Sequence, residues 1–217
     1  MTLELPLTCP TGKGLECTLA NTPELRRMVF RMRHECYLRG GFIDPIPGCE
    51  FSDHFDHEPN HFSYLLRAGG ERPLATVRIS VVAQNRGWLD SPAGHVFGDN
   101  QKFQAMKQDS YVEASRLCFG SLARRDLLVK LLGNMAALAE FYRVGWLVAC
   151  PRAEHAPIYE RLFGFQPMAA PRQYFGVNFK TQLLGVRREQ HQEYVRFNRP
   201  MQAAWTEAYE NLKRNKS

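Results

Sequence analysis

Apolar positions recur along this chain with two distinct periods. Leu25, Met28, Val29, Met32 and Cys36 fall at helical spacing and predict a helix over 23–38 with one buried face. Asn21-Thr22-Pro23-Glu24 marks its start, with a capping side chain, a proline in the first turn and an acid near the positive end of the dipole. Gly40-Gly41 ends it. Residues 42–61 are polar, proline-bearing and aperiodic, so they read as loop. Strand patterns appear at Leu15–Leu19, 62–68 and 74–82, the last two joined as a hairpin through Gly69-Gly70-Glu71-Arg72-Pro73. Residues 83–109 read as irregular apart from a short helix near Lys102, and 111–119 as a further strand. A long helix over 124–144 buries Leu127, Leu128, Leu131, Leu132, Met135 and Leu138. A strand at 146–150 and a helix at 153–163, closed by Gly164, follow. Strands around Phe165 and over 178–186 precede a helical tail from Glu189, broken at Pro200 and recapped by Asn198. Residues 1–14 form a loose lead-in. With no repeat, low-complexity tract or linker, the pattern predicts one α/β domain over 1–217, with its core at 15–187 and a tail at 188–217. Its architecture is a mixed central sheet flanked by helices.

Composition narrows the class. The chain has 217 residues, 44% of them hydrophobic and 23% charged, which is globular. No window approaches the roughly 18 apolar residues of a membrane span, and MTLELPLTCP lacks a basic region followed by an apolar core. A cytoplasmic location without stable membrane insertion is the expectation. Six cysteines occur with no CxxC pair, which reads as reduced thiols rather than a disulfide scaffold or structural zinc site. A net charge of +6 leaves three partner classes open: nucleic acid, a membrane surface or an acidic protein.

The run Ile158-Tyr159-Glu160-Arg161-Leu162-Phe163-Gly164-Phe165 holds a tyrosine that helix packing alone does not require. It resembles the helix-to-strand signature of the GNAT acyltransferase superfamily, and so implies a GNAT-like (acyl-CoA N-acyltransferase) fold. There the aligned tyrosine protonates a departing thiolate, which gives Tyr159 that role, and a phenol holds its proton at neutral pH. The same resemblance expects a basic, glycine-rich turn before the long helix, where backbone N–H groups hold the pyrophosphate of coenzyme A. Here Ser121 to Lys130 contains Arg124, Arg125 and Lys130 but only Leu, Ala and Val where glycines would allow close approach. A single phosphate, as on the phosphopantetheine arm of an acyl carrier protein, needs fewer converging donors. These three cations are the expected contacts for that donor, with Leu117 and Phe119 beside its acyl chain.

A second set lies upstream. Arg33 and Tyr37 share a helix face, Asp53 and Asp56 follow in the loop, and Arg78 alternates with Thr76 and Ser80. Glu113, Ser115 and Arg116 interrupt an apolar strand. Three acids and three arginines at a core edge must pair, because a lone buried charge costs several kcal/mol. Strict alternation sets Glu113 and Arg116 on opposite faces, and a bulge brings both to one side.

Together with Phe42, these positions resemble the N-acyl-homoserine-lactone synthases and the related long-chain N-acyl amino acid synthases, over about Phe30 to Phe165. Gly40-Gly41-Phe42-Ile43-Asp44-Pro45, and Phe51 in place of the first acid of an E-x-D-x-x-D motif, favour the acyl amino acid branch. The resemblance implies acyl carrier protein thioester as co-substrate, an amino acid acceptor and no further cofactor. The mechanism expected from these residues has Glu113, directly or through water, take the amine proton, an arginine (Arg33, Arg78 or Arg116) bind the acceptor carboxylate as a planar fork, and strand N–H groups freed at the bulge hold the oxyanion. Alternatives are an S-adenosylmethionine-dependent lactone synthase, a coenzyme A-dependent acetyltransferase, and a nucleic-acid-binding or regulatory relative. The last is disfavoured because the basic stretches at Arg187 to Arg199 and Lys213 to Lys216 match no nucleic-acid motif. Asp53-His54-Phe55-Asp56-His57-Glu58 and His61 have metal-ligand chemistry, but neighbours in one loop converge on an ion only with help from a second element. No metal is therefore expected there.

Overall fold

In the computed structural model, which describes residues 14–69, 72–120 and 124–214, the first helix starts where its cap dictates. The Thr22 hydroxyl accepts the Leu25 N–H at 3.3 Å, and α1 runs Pro23–Arg39 behind strand β1, Leu15–Leu19. The strands β2, His61–Ala68, and β3, Arg72–Val82, pair antiparallel, and a short 3-10 turn, His54–His57, precedes them. The lead-in at 1–13 and the turn residues 121–123 lie outside the described residues.

The segment 83–109 is more ordered than its pattern predicts. It holds two helices, α2 at Pro92–Phe97 and α3 at Gln101–Gln108. Ser91 caps the first by accepting from Gly94 N–H, and Asn100 caps the second by accepting from Phe103 N–H at 3.0 Å. Both are too short to show helical periodicity. Their apolar residues Ala93, Phe97, Phe103 and Met106 form a separate cluster with Tyr111 and Val148.

Strand β4, Tyr111–Phe119, leads to α4, Arg125–Tyr142, and then to β5, Trp146–Ala149. This crossover makes β4 and β5 the parallel pair of an otherwise antiparallel sheet, which runs β1-β2-β3-β4-β5 and continues through the strands Leu184–Arg187 and, at its edge, Gln166–Pro167. The helix α5, Ala156–Phe163, ends at Gly164, whose φ of 73° is the left-handed cap a glycine supplies without strain. Beyond it lie β6, Gln166–Pro167, β7, Arg172–Gln173, β8, Lys180–Thr181, and β9, Leu184–Arg187. The strand expected over 178–186 is thus divided. Gln182 N–H turns to Pro151 C=O, and β8 pairs with β7 in a ribbon of its own.

Helices α6, Arg188–Arg196, and α7, Arg199–Arg214, close the fold. The tail is docked: α7 packs along α4, and a Cβ built at Gly133 would stand 2.8 Å from the Ala204 Cβ. Residue 133 must be glycine for the two helices to approach so closely. One face of the sheet carries α1 and the other carries α4, which therefore sits between sheet and α7.

Candidate active site

The pairing of β3 with β4 slips by one residue. Arg78 faces Ser115 and Thr76 faces Cys118, so Arg116 and Leu117 together oppose Val77. Arg116 takes φ of 52°, the left-handed conformation found in bulges. Glu113, Ser115 and Arg116 consequently all lie on the α1 side of the sheet, but the expected matching of three acids with three arginines is incomplete: Arg116 finds a carboxylate there, whereas Glu113 forms no ion pair among the described residues and is met by a backbone N–H and a phenol instead.

Two aspartates there hold three arginines. Arg33 Nη1 donates to Asp56 Oδ1 at 2.7 Å and its Nη2 to Ser63 Oγ at 2.8 Å. Arg78 donates to both Asp53 oxygens and to Ser115 Oγ, and lies 3.2 Å from Asp56 Oδ2. Arg116 Nε and Nη2 donate to Asp53 Oδ2 at 3.2 and 2.8 Å. The turn itself fixes the acids, since Asp53 accepts Phe55 N–H and Asp56 accepts Asp53 N–H. Burial would raise both carboxyls, but the arginines outweigh it and hold Asp53 and Asp56 below the usual range. These side chains are a framework beneath the site: of the three arginines, Arg116 alone reaches the cavity described next.

β4 and β5 pair only as far as Ala114 and Ala149. Beyond that point β4 keeps β3 on one edge and loses β5 on the other, and a cavity of about 340 Å³ opens in the gap. Tyr37 and Phe42 from the α1 side, Ser115, Arg116, Leu117 and Phe119 from β4, and Tyr159 from α5 all line it. Tyr159 is buried, its ring packs on Phe163 and Phe165, and its hydroxyl makes no hydrogen bond to any described residue. Burial pushes its phenol well above the ordinary value, so it stays protonated. Arg116 keeps Nη1 free of hydrogen bonds among the described residues while Phe51 packs 4.6 Å from its guanidinium.

Other expected site residues sit elsewhere. Glu113 is fully buried and off the cavity wall. Its Oε2 accepts Ala93 N–H from the start of α2, and Tyr174 OH lies 3.5 Å from Oε1. Burial raises its pKa. Arg125 lies in a separate, larger groove of about 850 Å³ with Tyr194, Phe197 and Arg199. Arg124 pairs with Asp126, and Lys130 is tied to Glu207 of α7 at 2.9 Å. Lys130 therefore serves the α4–α7 seam rather than a cationic rim at the cavity.

Several lining residues have no counterpart in the sequence reading. Arg152 packs over the Phe42 ring at 4.4 Å, pairs with Glu154 and donates to His155 Nε2 at 2.9 Å. Burial and Arg152 both lower the His155 pKa, so the imidazole is neutral. Cys36, Cys118 and Cys150 also line the cavity. Cys36 donates to Phe119 C=O at 3.1 Å, and a hydrogen bond from Cys118, with Arg39 nearby, lowers its pKa.

A mixed sheet whose parallel pair splays around a cavity, with a glycine-capped helix presenting a tyrosine to it, is the frame of a GNAT-like acyltransferase. The family model described as "FeeM: N-acyl amino acid synthase FeeM" matches residues 28–187, and the chain belongs to that N-acyl amino acid synthase family. It is an N-acyltransferase. The solved structure of FeeM, an N-acyl amino acid synthase from uncultured soil microbes, is similar at TM-score 0.68 and 15% identity, over 83% of this chain and 94% of that one. BjaI, a coenzyme A-dependent acyl-homoserine lactone synthase solved with MTA, is similar at 0.58 and 14%, over 90% and 89%. The lactone synthase LasI follows at 0.57 and 12%, over 80% and 90%. No curated protein matches the chain. No described helix is long and apolar enough to cross a membrane.

Proposed function

We propose that the protein transfers a long-chain acyl group from an acyl carrier protein thioester to the α-amine of an amino acid. The observation that carries this reading is the cavity wall itself, lined both by Tyr159, protonated and with a hydroxyl that has no hydrogen bond among the described residues, and by Arg116, whose Nη1 has none among them. The acceptor carboxylate takes the free edge of Arg116, which a bare amine cannot do. Its amine nitrogen attacks the thioester carbon. The oxyanion that forms is held by N–H groups of β4 beyond Ala114, where no β5 strand competes for them. Collapse breaks the C–S bond, and Tyr159 protonates the leaving thiolate. Glu113 lies off the wall, no carboxylate lines the cavity among the described residues, and His155 Nε2 is occupied by Arg152. The amine proton accordingly leaves to solvent, and Glu113 serves as a brace for α2 and Tyr174.

Acyl carrier protein is favoured as donor by the glycine-poor run Ser121 to Lys130 and by the chain's +6 charge, which suits a small acidic partner. Arg125 and Arg199, sharing a groove with Phe197 at 87% exposure, are the cations proposed to receive it. The test is direct. Acyl carrier protein and coenzyme A, each loaded with C8 to C16 chains, are incubated separately with the enzyme, an amino acid pool and S-adenosylmethionine. N-acyl amino acids formed from the carrier protein thioester support the reading. Product from coenzyme A alone overturns the donor, and a lactone overturns the acceptor.

A further inference from the structure

We infer that His54, Asp90 and His95 form a binding site for one borderline divalent cation, zinc being the archetype, on the outer side of the acid-bearing turn. The turn His54–His57 divides its ligand-type residues between two environments. Asp53 and Asp56 face inward to the arginines, which removes them as metal ligands. His54 faces outward and is exposed. There it meets a second element, the segment that leads into α2. One donor atom from each of His54, Asp90 and His95 lies within 4.8 Å of the others.

The three groups are held in place. The His54 ring lies 3.9 Å from the ring of Phe55, and the His95 ring meets Phe55 edge-on at 5.0 Å. Phe55 is fully buried, so both imidazoles rest on a fixed core residue and stand 5.7 Å apart. Asp90 Oδ1 accepts Ser91 N–H at 2.9 Å, which turns Oδ2 to within 2.9 Å of His95 Nε2. That contact is a hydrogen bond, and adjacent ligands around a tetrahedral ion bound at roughly 2.0–2.1 Å stand about 3.3 Å apart, so the pair opens by only a few tenths of an ångström to admit one. Two imidazoles and one carboxylate select zinc, nickel or copper over magnesium or calcium, which prefer oxygen alone. Three protein ligands leave further positions to water.

An ion there would tie the turn that positions Asp53 and Asp56 to the start of α2, whose Ala93 N–H holds Glu113. It would act on the framework from outside and take no part in acyl transfer. Binding only to the folded chain raises stability in proportion to occupancy.

The experiment uses tag-free protein, stripped with chelator and titrated calorimetrically with zinc chloride in a non-coordinating buffer at neutral pH. One zinc per chain in the micromolar range is expected, with a matching rise in Tm. His57→Ala, which removes the neighbouring exposed histidine, should bind as wild type. His54→Ala, His95→Ala and Asp90→Asn should each lose at least tenfold in affinity while keeping the wild-type circular dichroism spectrum. Cobalt should give d–d absorption without a thiolate charge-transfer band. Absent binding, binding indifferent to these three changes, or a thiolate signature would overturn the assignment.

Discussion

Asp53→Asn is the sharpest perturbation of the framework beneath the cavity. Asparagine keeps an oxygen to accept Phe55 N–H, so the turn remains capped, while the charge shared by Arg78 and Arg116 disappears. Asp56 then stands alone against Arg33 and Arg78, and Arg116 has no carboxylate partner left. The Arg78 side chain is 0% exposed, so water cannot replace its lost partner, whereas Arg116 still borders the cavity. Breaking a buried pair in this way costs about 3–5 kcal/mol. For a chain of this size that corresponds to a Tm lower by roughly 6–20 °C. Urea unfolding from pH 3 to pH 8 is the assay. Asp53 has a depressed pKa in the folded state, so its stabilisation is fully present above the unfolded value of about 3.9. It fades as pH falls from there towards the folded value. The gap between wild type and variant should be constant above about pH 5 and should narrow below pH 4. A gap under about 1 kcal/mol at neutral pH, or one that does not narrow in acid, would refute the view that these charges stabilise the fold as one unit.

Tyr159→Phe removes a hydroxyl that has no described hydrogen-bond partner, so Tm should hold while kcat drops about 10²–10⁴-fold, measured with a slow thioester donor. Glu113→Gln separates brace from base. Acyl transfer should persist within severalfold with an unaltered pH profile, whereas loss of a general base would remove 10²–10⁴-fold. Because burial raises the folded pKa of Glu113, wild-type stability declines as pH climbs through that value, and the stability difference should move in favour of the glutamine variant at higher pH. Gly133→Leu forces a side chain into Ala204 across the α4–α7 contact, and the urea midpoint should report a loss of about 1–3 kcal/mol or more.

Much of the architecture is legible in the residue pattern because its signals are long or doubled. The strand at 111–119 and the helix capped at Thr22 appear where alternation and capping chemistry set them. Even the bulge at Arg116 follows from the cost of leaving a strand charge unpaired. Helices α2 and α3 escape because six and eight residues cannot display a period, although Ser91 and Asn100 supply their caps. The site is less legible than the fold. A charged residue in a strand looks the same whether it lines a cavity, as Arg116 does, or is sealed behind one, as Glu113 is. Arg152, His155 and Phe179 reach the cavity from connections whose course is set by the tertiary fold, and no spacing in the sequence announces them.

The three cysteines on the cavity wall give the site a practical accessibility that its apolar lining would otherwise deny. Cys36, the thiol with the lowered pKa, stands on the wall of the cavity proposed to take the acyl chain. A fatty tail carrying a mild electrophile, such as a chloroacetamide, would be drawn in by its chain and fixed by its warhead. Alkylation of Cys36 is then a clock for occupancy. A bound ligand slows it, an empty pocket lets it run, and ranking candidate acyl lengths by protection would need no knowledge of the acceptor.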